Sequence, residues 1–179
     1  MQSALAVCGK IGSGKSSVLR ELERMHSWDV VSFGAYIKSL IIDPHPVRET
    51  YQALGQELFS SRGPRGLLQD ALNYRDPKSS IHLIDGVRHV SVVDAMQRIY
   101  SKTIVVFLKV DERTRYERFV ARSDTATQVS YGEFQQICNH PIEQGIDEIA
   151  GISDVVIDAS GEIEQVVGAI ENVAMKLVS

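Results

Sequence analysis

Apolar positions along the chain fall into two alternating regimes. Short unbroken runs rich in β-branched residues occupy 5–8, 30–33, 81–85, 103–109 and 154–158. None alternates with polar residues, the pattern of strands covered on both faces. Between them apolar residues recur at helical spacing, as at Val18, Leu19, Leu22 and Met25, and GEIEQVVGAIENVAMKLV at the end reads as a final amphipathic helix. Strand–helix alternation of this kind predicts an α/β fold, a five-stranded parallel sheet joined by right-handed crossovers and flanked by helices. Asp43-Pro-His-Pro46 must interrupt a helix, because proline disfavours helical backbone at the residue before it. From 47 to 74 the pattern is helical with no strand, so an inserted helical lobe, about 34–74, is expected between the second and third strands, its helix interrupted at Gly55.

A length of 179 residues fits one domain, 1–179, able to bury a core without disulfides or metal. Net charge is −4, so no global basic field collects nucleic acid, and any anion site must be built locally. No run approaches the roughly 20 apolar residues of a membrane span, and the first residues lack the pattern of a signal peptide, so a cytoplasmic protein is expected. Cys8 reads as a small buried residue at a strand end, and Cys138 forms no metal-like pair with it. His26, His45, His82, His89 and His140 show no ligand spacing and are expected mostly on the surface or in loops. Nothing in the composition speaks to oligomeric state.

The sharpest signal is GKIGSGKS, residues 9–16, directly after the first strand and before the helical VLRELERM. It matches G-x-x-x-x-G-K-[ST] in full. Its glycines let successive N–H groups turn toward phosphate oxygens, and the following helix adds its positive end. The expected nucleotide-binding residues are Gly9, Lys10, Ile11, Gly12, Ser13, Gly14, Lys15, Ser16 and Ser17. Lys15 is expected at the β- and γ-phosphates of ATP, and the Ser16 hydroxyl on Mg²⁺.

Further charges are expected at the same edge. In LIDGVRHV, Asp85 ends a buried strand where a carboxylate can hold the magnesium shell through water, Gly86 permits a sharp exit, and Arg88 projects a positive charge. In DERTRYERFVARSD, Arg115, Arg118 and Arg122 share a narrow arc of one helix face. Here the sequence resembles the adenylate-kinase-like nucleoside monophosphate kinases, which carry Asp-Gly-Phe-Pro-Arg where this chain keeps Asp85, Gly86 and Arg88. The resemblance implies a P-loop three-layer fold and ATP as donor. It implies a basic residue for the acceptor phosphate in the helix after the second strand, met by Lys38, and lid arginines, met by Arg118 and Arg122. The resemblance also implies a lid, over about 111–145, which here is short and has no cysteine cluster, so no zinc-binding lid is expected. VRETYQALGQELFSSRG is similar to the acceptor lobe of deoxynucleoside monophosphate kinases, which makes Arg48, Gln52 and Arg62 the expected acceptor contacts.

An acceptor phosphate is largely ionised at neutral pH and needs no general base, whereas a hydroxyl acceptor benefits from a carboxylate. The second resemblance, to dephospho-coenzyme A kinase, lies in ERFVAR, YGEFQQICNHPIEQ and ISDVVIDASGEIEQVV. That family places an acidic base just after its second strand. This chain has Ser32-Phe33-Gly34-Ala35 there and no carboxylate until Asp43. The expected activity is therefore transfer of the γ-phosphoryl of ATP-Mg to a nucleoside or deoxynucleoside monophosphate. Dephospho-coenzyme A as acceptor is the alternative, and an ATP-binding sensor acting through a partner is a third reading. Residues 159–161 are expected to pass near the adenine.

Overall fold

The structure is a computed structural model describing residues 2–43, 48–122 and 129–178, apart from the side chains of Arg48, Ile142 and Val178. Its strands are β1 (Ser3–Gly9), β2 (Asp29–Ser32), β3 (Ile81–Asp85), β4 (Lys102–Lys109) and β5 (Val155–Asp158). They form one sheet in the order β2-β3-β1-β4-β5, every pairing parallel. The expected α/β fold of five parallel strands is thus observed. Register places Val7 opposite Asp85, Asp85 opposite Ser32, and Gly9 opposite Leu108. The carboxyl ends of β1, β2 and β3 therefore arrive side by side, on the edge where open α/β sheets bind ligands.

Every residue of β1 is buried, because helices cover both faces. Leu5 and Val7 point to one face, where they pack with α1 (Lys15–His26) and α9 (Ile163–Val178) through Leu19, Leu22, Val167 and Ile170. Ala4, Ala6 and Cys8 point to the other, against residues of α2 (Phe33–Ser39), α3 (Arg48–Arg75), α4 (Val90–Ile99) and α8 (Ile146–Ile152). Burying each large aliphatic side chain stabilises by about 1.5–3 kcal/mol, so the two cores supply most of the cohesion. After β4, α5 (Glu112–Ala121) is capped by Asp111, whose carboxylate accepts from Thr114 N at 2.9 Å. A capping box between Ser130 and Glu133 opens α6 (Tyr131–Cys138), and α7 (Pro141–Gln144) follows.

Several expectations need correction. Gly55 does not interrupt α3; the break falls at Gly63, with φ 67° and ψ 171°, and Pro64 reopens the helix. A positive φ is inexpensive only for glycine, and proline suits a first helical turn. Asp70 binds the Arg62 guanidinium through two hydrogen bonds of 2.8 Å across that break. β5 is not covered on both faces: it is an edge strand with alternating burial, and Val156 is 52% exposed. His82 is neither on the surface nor in a loop. It is buried on β3, with Nδ1 2.9 Å from Tyr100 Oη and Nε2 3.1 Å from the Ser79 carbonyl. Burial lowers its pKa. The expected interruption at 43–46 reaches beyond the described residues, which exclude 44–47. Among the described residues no helix is long and apolar enough to cross a membrane.

The entry to β2 is anchored by one carboxylate. Asp29 Oδ2 accepts from Lys78 N at 2.7 Å and Ser79 N at 2.8 Å, and Oδ1 lies 2.9 Å from Arg75. The hydrogen bonds with Ser79 are the largest cause holding its pKa below the ordinary 3.8. A depressed carboxylate pKa adds stability above the unfolded value and loses it as pH falls through the folded one. Asp29→Ala is expected to cost about 2 kcal/mol near neutrality. The difference from wild type in urea unfolding should narrow below pH 3.8.

Candidate functional site

Between Gly9, the end of β1, and Lys15, the start of α1, the chain turns back on itself with left-handed backbone at Gly12 (φ 83°) and Gly14 (φ 92°). A side chain at Gly12 would place its Cβ 2.3 Å from the Arg115 carbonyl oxygen. Arg115 is itself buried, and its Nη1 donates to the Ile11 carbonyl at 3.2 Å and lies 3.6 Å from Cys138 Sγ. Of the three arginines on that arc of α5, this one braces the loop from behind. The N–H groups of Gly14, Lys15 and Ser16, at the helix start, lack intrahelical acceptors and share its positive end.

Lys15 folds into the loop, donating from Nζ to the carbonyls of Gly9 and Lys10 (3.0 Å) and to Ser13 Oγ (3.4 Å). Burial brings its pKa down to about 8, a shift opposed by Asp85 and Glu143 and reinforced by Arg88. Beside it, burial pushes the Cys8 thiol up to about 12, so Cys8 behaves as the small buried residue expected of it.

A cavity of about 460 Å³ runs from this loop, past the end of β3, into the helical lobe. Asp85 lies at the junction, where its Oδ2 accepts from Ser32 Oγ at 3.1 Å. The same hydroxyl accepts from Ala35 N at 3.2 Å, so one N-cap residue starts α2 and orients the carboxylate. Arg88 Nη1 lies 3.2 Å from Oε1 of the buried Glu143 on α7. Deeper in the lobe, Lys38 Nζ sits 5.8 Å from the Tyr51 ring centre, Gln52 is buried, and Phe59 stacks on His89 with centroids 4.2 Å apart. Burial first, and then Arg88, lowers the His89 pKa.

The structure thus brings Ile11, Gly12, Ser13, Gly14, Lys15 and Ser16 of the loop into one cavity with Lys38, Gln52, Asp85, Arg88 and Arg122. Arg122, directly after α5, donates to Ser17 Oγ at 2.6 Å. Lys10 pairs instead with Asp147 at 2.8 Å on the outer side of the loop. Arg118 does not line the cavity itself but stands beside the loop, its Nη1 3.8 Å from where a Cβ on Gly14 would lie, and donates to the carbonyls of Ala159 (2.7 Å) and Ser160 (3.1 Å). Arg62 is likewise not brought to the cavity, being engaged by Asp70. The side chain of Arg48 lies outside the described residues. Sequence reasoning missed Ser32 as the orienter of Asp85, and Glu143, Tyr51 and Phe59 as cavity walls. An N-cap serine before the Phe33 helix was a legible signal, whereas a glutamate in a four-residue helix was not. Among the described residues no three His, Cys, Asp or Glu side chains form a metal cluster. An ion held through Ser16 and water needs none.

Residues 5–138 match the AAA domain family. The chain belongs to that family. Its relatives include a UPF0200 protein of Pyrobaculum aerophilum, 24% identical over 99% of both chains. Another, from Hyperthermus butylicus, is 27% identical over 86% of this chain and 83% of its own. Among solved structures it resembles a gluconokinase from Sinorhizobium meliloti with a TM-score of 0.61 and 17% identity, covering 98% of this chain and 95% of that one. It also resembles shikimate kinase from Bacteroides thetaiotaomicron, with a TM-score of 0.59 and 17% identity over 97% and 98% of the two chains. The fold is the three-layer P-loop NTPase fold, with helices on both sides of a parallel sheet.

Two expectations follow for the loop. Gly12→Ala places a Cβ against backbone that cannot yield, and ATP affinity is expected to fall at least about tenfold in titration calorimetry. A polyphosphate stabilises the charged form of Lys15. Binding at roughly pH 8.5 is therefore expected to take up a fraction of a proton, an uptake that vanishes near pH 6. Comparing calorimetry in buffers of different ionisation enthalpy checks this, and Lys15→Met should abolish the uptake.

Proposed function

We propose that this protein transfers the γ-phosphoryl group of ATP to a nucleoside or deoxynucleoside monophosphate. The observation that carries the reading is the continuous cavity joining the phosphate loop to an aromatic and amide-lined lobe, with fixed cations at the junction. Phosphoryl transfer asks for in-line positioning and charge neutralisation more than covalent help. In this reading Lys15 exchanges its loop carbonyls for the β- and γ-phosphate oxygens of the donor. Mg²⁺ would be held by the Ser16 hydroxyl and, through water, by Asp85, and would neutralise charge on the donor phosphates. Ser32 keeps Asp85 oriented for that task. Lys38 and Arg88 receive the acceptor phosphate, and Arg122, which also lines the cavity, closes on the transfer. The acceptor base lies along Tyr51 and Phe59 within reach of Gln52 and Gln56. Arg118, turned toward 159–161, is assigned to the donor nucleoside end. We further assign the protein to the cytoplasm as one domain, 1–179, acting on small nucleotides and needing neither nucleic acid nor membrane.

A hydroxyl acceptor such as dephospho-coenzyme A is the second reading. It is favoured by one observation: Asp85 and Glu143 supply the cavity with the carboxylates that 32–35 lack. ADP release from ATP-Mg²⁺ is measured with a panel of ribo- and deoxynucleoside monophosphates, dephospho-coenzyme A, shikimate and gluconate. Stimulation by monophosphates is expected. Stimulation by hydroxyl acceptors alone transfers the assignment to the second reading, and stimulation by none leaves the sensor. Lys15→Ala is expected to lower transfer at least about a hundredfold with its melting temperature preserved.

A further inference from the structure

Glu143 lies near enough to Lys15 to oppose the fall in pKa that burial brings it, and among the described residues it is one of the most enclosed charges, 7% exposed on α7. It faces the large cavity, and also forms part of the wall of a smaller one of about 130 Å³ behind the loop. Its Oε1 lies 3.2 Å from Arg88 Nη1, but among the described residues no N–H or O–H is aligned on that oxygen as a hydrogen-bond donor. Buried carboxylate oxygens are costly to leave without a donor, and such a group in a ligand cavity calls for one that arrives with the ligand. The wall that carries it cannot easily swing away. A Cβ on Gly145 would stand 2.5 Å from the Arg88 carbonyl, so the turn after α7 is packed directly on the β3–α4 loop.

The chemistry of the missing donor is constrained by its surroundings. Arg88 and the nearby Lys15 already compensate the charge, so a neutral donor suits the oxygen better than a further cation. Glu143 flanks Arg88, the residue assigned to the acceptor phosphate, so the group it meets is the part of the acceptor next to that phosphate. In a nucleotide the group between phosphate and base is the sugar. Resting on the function proposed above, we infer that Glu143 accepts a hydrogen bond from a sugar hydroxyl of the acceptor monophosphate. The site then selects acceptors with a free ribose hydroxyl, and Glu143 is a specificity-determining residue that also positions Arg88.

The experiment measures kcat/KM for one base as the ribo-, 2′-deoxy-, 3′-deoxy- and 2′,3′-dideoxynucleoside monophosphate. Wild type is expected to favour the ribonucleotide over the dideoxynucleotide by about 10- to 100-fold, the factor that follows from one hydrogen bond to a buried charge. In E143A that ratio should fall toward one, whatever uniform loss follows from the released Arg88. E143Q keeps the shape of the side chain and covers the case in which E143A does not fold; its ratio should drop at least several-fold. Equal turnover of all four acceptors by wild type overturns the inference while leaving the proposed function standing. So does an unchanged ratio in both variants, including the case where only the Mg²⁺ requirement moves. Absence of turnover with every monophosphate instead overturns the proposed function, and this inference with it.

Discussion

The site depends on the double parallel pairing of β1. Its hydrogen-bonded register with β3 on one side and β4 on the other fixes where Gly9 ends, and β3 in turn fixes β2. Because all these strands run the same way, their carboxyl ends form one rim, and the loop, Asp85 and Ser32 meet there without any one of them being adjacent in sequence. The small residues Ala4, Ala6 and Cys8 on one face of β1 let the helical layer carrying α3, α4 and α8 approach closely. Helical lobe and phosphate loop thereby come to share one cavity.

Around that rim the charges are arranged in linked pairs rather than scattered. Lys15 is half-buried with Asp85 and Glu143 nearby, and its ammonium rests on loop carbonyls. Arg88 is steadied by Glu143, and Asp85 by the hydroxyl of Ser32. Arg115 spends its charge on the loop backbone and on Glu112 at 3.7 Å, which makes it a structural guanidinium close to a catalytic-looking cluster. Such an arrangement is preorganised, so little side-chain entropy remains to be lost when a phosphate enters.

Much of the fold was legible because strands and helices write their period into the chain over distances of a few residues. All five apolar runs became strands, shifted by only one or two residues at their ends. The phosphate loop was legible for the same reason: its glycines, lysine and serine act through local backbone geometry. The helix break was misplaced, since Gly55 and Gly63 look alike until Pro64 and the Arg62–Asp70 pair show where the chain must turn. Of the arginines on the arc of α5, the helical spacing could not say which would be buried. Arg115 went to the loop, Arg118 to 159–161, and Arg122 to the cavity.

The sequence by itself determined the layered parallel sheet, the phosphate-binding turn and the presence of an inserted helical lobe. These follow from contacts between residues close along the chain. Tertiary structure alone decided that Glu143 would be buried against Arg88, that Ser32 would hold Asp85, and that Arg62 would be occupied elsewhere. A polar side chain carries the same letter whether water or protein surrounds it. Only the docking of distant segments, such as Gly145 onto the Arg88 backbone, settles which of the two it meets.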